Sequence, residues 1–256
     1  MASGDGNRRR FLRRALAAGG GLILSGCDRL SQSESFASLL GSAEKLSFAM
    51  QRLLLTRRVM AQEFTEADLS PVFRSNGTRN PRDAAYQALA ADNFAGYRLE
   101  VGGLVAHPRA YSLAELKALP GRTQITRHDC VEGWSAIGKW KGAPLARVLE
   151  TVGPLPSARY VVFYCADPMN ARGDRYYESI DMEDARHPQT LLAYELNDAP
   201  LPIANGAPVR VRVERQLGYK MAKYVMRIAL VDRLDDIGGG RGGYWEDRGY
   251  EWYAGI

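Results

Sequence analysis

The hydrophobic rhythm of this chain changes near residue 70. Ahead of that point, Phe36, Leu39, Leu40, Ala43, Leu46, Met50 and Leu53 recur at helical spacing and predict one long helix over residues 33–62. Arg57 and Arg58 fall near its end, where cations suit the helix dipole. An apolar stripe of this length needs burying, which favours packing on the core over a bare stalk. Beyond residue 70 the runs are short. Tyr97-Arg98-Leu99-Glu100-Val101 alternates as a strand and turns at Gly102-Gly103. Ser112 and Glu115 make a capping box for a short helix that stops before Pro120. Further strands are predicted over 124–130, 160–165, 209–213 and 225–231, the last two half-buried. A helix is predicted over 143–151, closed by Gly153-Pro154. The outcome is an α+β fold of mixed sheets and short helices, with no repeats and no long low-complexity linker.

The first 26 residues stand apart from this pattern. Asn7-Arg8-Arg9-Arg10-Phe11-Leu12-Arg13 resembles a twin-arginine export motif, a weakly apolar run follows, and Leu24-Ser25-Gly26-Cys27 reads as a lipobox. The apolar run falls well short of the roughly 20 residues a spanning helix needs. The expected division is therefore a signal over 1–26, a helical segment over 27–69 and one domain over 70–256. The signal implies passage through the twin-arginine translocase and a lipid anchor on Cys27, at the periplasmic face of the inner membrane. Asp28, next to that cysteine, resembles an inner-membrane retention signal. Export of a folded protein also raises the expectation of a cofactor inserted beforehand. The signal accounts for the basic balance as well. Five arginines against Asp5 in residues 1–26 carry most of the net charge of +5, so nucleic acid is excluded as a partner on electrostatic grounds.

Three cysteines are present. With Cys27 lipidated, Cys130 and Cys165 are left in an oxidising compartment, where a disulfide is the simplest reading. The surroundings of Cys130 offer another. Arg127, His128 and Asp129 precede it and Gly133-Trp134 follows, a polar and constrained setting for a thiolate. A soft thiolate suits a molybdenum centre whose other soft donors are dithiolene sulfurs. The segment Arg127-His128-Asp129-Cys130-Val131-Glu132-Gly133-Trp134-Ser135 resembles the ligand strand of the sulfite-oxidase-like molybdopterin enzymes. Asn205-Gly206-Ala207-Pro208-Val209-Arg210 and Gly218-Tyr219-Lys220-Met221-Ala222-Lys223 resemble two further segments of that family, in its order. A weaker match lies at Phe73-Arg74-Ser75-Asn76-Gly77. The resemblance runs from about residue 70 to about 234.

The resemblance implies a molybdopterin-binding domain, with molybdenum held by one pterin dithiolene and the Cys130 thiolate, and oxygen-atom transfer to or from a small substrate. It implies cofactor contacts from Phe73, Arg74, Ser75, Cys165, Asn205 and Arg210. The amides of Met221 and Ala222 and the ammonium of Lys223 would meet the phosphate end. At Cys165 relatives often hold Thr, so a small buried hydrophobe is the alternative there. His128 and Arg74 are candidates for the substrate side. A sulfite oxidase would need converging cations such as Arg74, Arg127 and His128, whereas a sulfoxide reductase would need a more open, apolar mouth. Neither the haem module nor the dimerisation domain of some relatives is seen, so a monomeric catalytic subunit is expected. Its electrons would be exchanged with a membrane haem protein or a periplasmic cytochrome. The rival from another class is a non-catalytic lipoprotein held by a Cys130–Cys165 disulfide. A relative that has lost turnover is a third reading. Gly238–Gly243 lacks the helix and Lys-Ser/Thr of a phosphate loop and reads as a turn. The aromatic tail from Tyr244 to Tyr253 is expected to fold back over the domain or to dock a partner.

Overall fold

A computed structural model of the chain describes residues 59–256 and, ahead of them, Ser33, Leu46 and residues 48–53. The export motif, the lipobox, Cys27 and most of the predicted long helix lie outside the described residues. Of two compact units, the first ends at Leu54 and the second spans Leu55–Ile256. In the first, Leu46 and residues 48–53 are helical, as the spacing predicts, while Leu46, Met50 and Leu53 are exposed. In the second, the helix expected to reach residue 62 is absent from Val59 onward. The backbone there is spent elsewhere. Ala61 exchanges both of its main-chain groups with the Gln189 side chain, and Phe64 N–H donates to Ile125 at 2.8 Å.

The larger unit holds two five-stranded sheets. In one the order is β2 (Arg109–Ser112), β1 (Arg98–Gly103), β10 (Val225–Val231), β5 (Tyr160–Pro168) and β6 (Arg175–Asp181). Only β1 and β10 run parallel. In the other the order is β3 (Arg122–Cys130), β4 (Trp134–Pro144), β7 (Leu191–Leu196) and β8 (Ala199–Pro200), with β9 (Arg210–Arg212) also paired to β7. Helices are short: α1 (Ala84–Ala91), α2 (Leu113–Ala118), α3 (Leu145–Val152) and α4 (Met182–Ala185). The mixed α+β class read from the sequence is the class observed.

Local chemistry explains most boundaries. Ser112 caps α2 through the expected box with Glu115. Helix α3 buries Leu145, Val148, Leu149 and Val152, one face at helical spacing, and ends on Gly153 at φ 64°. It starts two residues later than predicted, because Ala143 and Pro144 still pair with Leu192 and Leu191. Five strands were not expected from the pattern: β2, β4, β6, β7 and β8. Strand β4 contains Gly138 and Gly142, and a Cβ at Gly142 would lie 2.4 Å from Leu192 O, so close approach of β7 is what requires glycine there. Strands β6 and β7 are buried on both faces over most of their length and show no clean alternation. In β9 the half-buried expectation fails: Arg210 and Arg212 are as buried as their valine neighbours.

Candidate active site

Strand β3 presents Gln124, Thr126, His128 and Cys130 to the interior, because alternate residues share a face. It ends at Cys130, where Gly133 adopts φ 82° and its N–H donates to Cys130 O at 3.0 Å, turning the chain into β4. Cys130, Val131 and Glu132 thereby form one wall of a cavity of about 210 Å³. Asp167 and Met169 reach it from the end of β5, and Tyr176 from β6. The loop Asn76–Thr78, the turn bearing Gly218, Tyr219, Met221 and Lys223, and the tail residues Trp245 and Tyr250 complete it. Burial pushes the Cys130 thiol above its usual range, opposed by the Glu132 amide that donates to the sulfur and by the charges of Arg210 and Arg74.

Cations lie under this cavity. Arg210 donates to Asn205 O at 3.0 Å and Met221 O at 3.3 Å, and its guanidinium sits 5.1 Å from the Trp140 ring. Burial, then the neighbouring Arg212, lowers its pKa to about 9. Arg212 clasps Glu214 through Nε at 2.8 Å and Nη2 at 2.6 Å, both residues buried. Its Nη1 meets His128 Nδ1 at 3.0 Å, so that nitrogen accepts and the ring proton belongs on Nε2. Burial and the Arg212 charge hold His128 neutral, well below the usual histidine range. Lys223 donates to Asn76 O at 2.6 Å, Ala204 O at 3.0 Å and Thr78 O, lashing three segments together. Burial, then Arg210, brings its pKa down to about 7.

Several buried polar atoms around the cavity have no partner among the described residues: Asn76 Oδ1, Asp167 Oδ1, Asn205 Nδ2 and Arg210 Nε. Buried polar groups rarely stay unpaired, so acceptors and donors left open beside a cavity suit a polar ligand that completes them. The Asp167 carboxyl is pushed up to about 6, chiefly by burial.

The structure brings Cys130, Met221 and Lys223 to the cavity wall, with Asn205 and Arg210 in the adjoining segment. It uses some of them differently from expectation. The Met221 amide is spent on Gly218 O, and the three Lys223 donors are all engaged by carbonyls. In the weaker segment the lining residues are Asn76, Gly77 and Thr78 instead of Phe73, Arg74 and Ser75. Phe73 packs edge-on against Trp140 at 4.9 Å and Arg74 lies over Trp134 at 5.4 Å. His128 is wholly buried and does not line the cavity, since its Nε2 faces Gly218, where a Cβ would lie 2.5 Å away. Cys165 and Ala222 belong to the main apolar core. Both Cys130 and Cys165 are free, so the disulfide of the rival reading is not formed. Arg127 is turned to Asp129 at 3.0 Å, and Arg74, Arg127 and His128 do not converge. Sequence reading missed Asp167, Met169, Tyr176, Trp245 and Tyr250. Only the tail's aromatic density gave a signal.

A family model described as "Oxidoreductase molybdopterin binding domain" matches residues 86–236. A putative protein-methionine-sulfoxide reductase subunit, YedZ1, of Azospira oryzae is 39% identical over 97% of this chain and 87% of its own length. The protein-methionine-sulfoxide reductase catalytic subunit MsrP of Ralstonia nicotianae is 41% identical over 54% of this chain, and the match spans only 44% of that relative. Among solved structures, the sulfane dehydrogenase SoxCD of Paracoccus pantotrophus superposes with a TM-score of 0.50 at 21% identity, covering 59% of this chain and 45% of that one. That likeness shows the fold.

Proposed function

The chain belongs to the molybdopterin-binding oxidoreductase family, and from that premise we propose that it reduces a neutral sulfoxide, specifically that of oxidised methionine residues. As a family member it is a molybdopterin-dependent enzyme of oxygen-atom transfer. The residues present fit the cofactor. A buried thiol at a strand end and open polar atoms on Asn76, Asp167, Asn205 and Arg210 suit a soft metal and a pterin ring. When bound, molybdenum supplies the acceptor for the sulfoxide oxygen and the change of oxidation state.

The protein's share of the work is positional and electrostatic. Cys130 would be the thiolate ligand in this reading; burial disfavours its free anion, the Glu132 amide and the charges of Arg210 and Arg74 offset that in part, and a bound metal would supply the rest. Arg210 and Asn205 would hold the pterin, and Lys223 fixes the loop Asn76–Thr78 at the cavity wall through Asn76 O and Thr78 O. Asp167, its carboxyl pushed up to about 6 by burial, can hold a proton at the wall. Reduction of the S=O bond consumes two electrons and two protons and releases sulfide and water.

One observation favours a sulfoxide over sulfite. The charged residues lining the cavity are Glu132, Asp167 and Lys223, and the lysine's donors are already engaged. Among the described residues a dianion would find no free cation on the wall, while Val131, Met169, Tyr219, Met221, Trp245 and Tyr250 make an apolar mouth. The names of the relatives point the same way.

The electron donor is a separate membrane haem protein or a periplasmic cytochrome, a reading supported by relatives named as subunits. The arginine motif and Cys27 support export by the twin-arginine route and anchoring at the periplasmic face. The test is elemental analysis of protein matured with its signal intact, followed by dye-linked assays. Molybdenum at about one per chain with reduction of methionine sulfoxide is expected. Molybdenum-loaded protein that oxidises sulfite and leaves sulfoxides untouched would overturn the substrate assignment.

A further inference from the structure

The cavity has two unlike sides. Asn76, Asp167 and Lys223 supply polar atoms to one, while Tyr219, Trp245 and Tyr250 supply rings to the other. The rings form a connected cluster, with centroids 5.2 Å apart for Tyr219–Tyr250 and 5.4 Å for Trp245–Tyr250. Trp245 and Tyr250 lie beyond residues 86–236, the stretch the family pattern matches. They lie past the matched stretch, in the same compact unit, and reach back into the site.

That return is built into the fold. Lys220, wholly buried, donates to Glu178 on β6 and to Glu246 in the tail, each at 2.5 Å. Glu246 is itself buried and adjoins Trp245 in sequence, so the ion pair fixes where the indole lies. Tyr219 donates to Glu251 O at 2.6 Å, the Trp252 indole donates to Ser179 Oγ at 2.9 Å, and Leu217 N–H donates to Ala254 O at 2.9 Å. The tail is thus tied down by an ion contact and three hydrogen bonds to separate segments, and lifting it away would break all of them.

We propose that Trp245 and Tyr250 are specificity-determining residues that hold the side chain of an oxidised methionine against their rings, and that Glu246 positions them through Lys220. The inference rests on the sulfoxide-reductase reading of the site. Ring faces and edges attract polarisable sulfur and its methyl group, and they displace water from an unbranched, flexible side chain. A compact anion such as sulfite gains nothing from that wall. The polar side is left to the cofactor, and the substrate oxygen points toward it.

The test uses the molybdenum-loaded full chain, with a reduced viologen dye as electron donor. Substrates are a short peptide containing methionine sulfoxide and, as a compact control, dimethyl sulfoxide. Trp245→Ala is expected to lose about tenfold more kcat/KM on the peptide than on the control, mostly through KM. Trp245→Phe should recover most of the loss. Glu246→Gln should raise the peptide KM in the same direction with a smaller change in kcat. Tyr250→Ala, at a residue 41% exposed, gives the same comparison if Trp245→Ala fails to fold, which melting and molybdenum content report. Equal losses on both substrates, or an unchanged peptide KM, overturn the assignment of the tail while leaving the reductase reading standing. Loaded wild-type protein that reduces neither sulfoxide overturns both.

Discussion

Around α3 and β5 the interior is apolar, with Leu145, Val148, Leu149, Val152, Val161, Val162 and Phe163 in one cluster at 1% exposure or less. Beneath the cavity the interior is just as dry, yet it is made of Gln124, Thr126, His128, Arg210, Arg212 and Glu214 around Trp140. The first region gains stability from every methylene it removes from water. The second spends it, because each buried charge loses hydration that its partner only partly returns. A protein built for stability alone would not make the second kind of interior. Its presence under Cys130 is intelligible if the chain must hold an anionic, hydrogen-bonding cofactor in a fixed place. Apolar packing makes the frame, and the polar region makes the seat.

The sharpest separation comes from the proposed ligand. Cys130→Ser should cut turnover by roughly a thousandfold or more while leaving the melting temperature of the metal-free protein within a degree or two. A dye-linked assay beside thermal unfolding checks this, and near-normal activity would end the thiolate mechanism. Next in size is the buried pair. Glu214→Leu leaves Arg212 and the Gln124 amide without their carboxylate and should cost about 3–5 kcal/mol in denaturant unfolding. Replacing both partners, Arg212→Met with Glu214→Leu, should recover much of that stability. A double variant as unstable as the single would mean the polar interior is a stabilising element after all. Leu149→Ala, in the apolar region, should cost about 2–4 kcal/mol with activity per folded molecule unchanged.

The two regions also differ in how far the sequence disclosed them. Helix α3 shows its buried face at helical spacing, and the capping box of α2 is written in Ser112 and Glu115. Cys130 stands out in the sequence between charged residues and a Gly-Trp pair, and the structure places it on the cavity wall. Arg210 and Arg212 misled in part. Alternation with valine suggests a solvated face, and only the three-dimensional placement of Glu214, His128 and Trp140 turns that face inward. Strand β4 was hidden by glycines that serve close approach instead of turning. The far wall was hidden for a different reason: Asp167, Tyr176, Trp245 and Tyr250 come from the ends of distant segments, and no local pattern records that they meet.

Asp167 gives the smallest expected effect and the most direct measure of what the seat costs. Its folded pKa is raised from 3.8 to about 6, mainly by burial. A raised acid contributes stability that is fully present below its unfolded pKa and is lost as pH rises through the folded one. Metal-free wild type and Asp167→Asn should therefore match in stability near pH 3.5. The variant should pull ahead between about pH 4 and 6 and stay ahead by roughly 2–3 kcal/mol above that window. Urea titrations across pH measure the gap directly. Loading the cofactor should narrow it, because donors that complete Asp167 Oδ1 favour the carboxylate over the buried, unpartnered state. A gap that is absent above pH 6 would remove the case that this wall is strained for a ligand. A gap indifferent to the cofactor would mean that Asp167 serves the fold and not the seat.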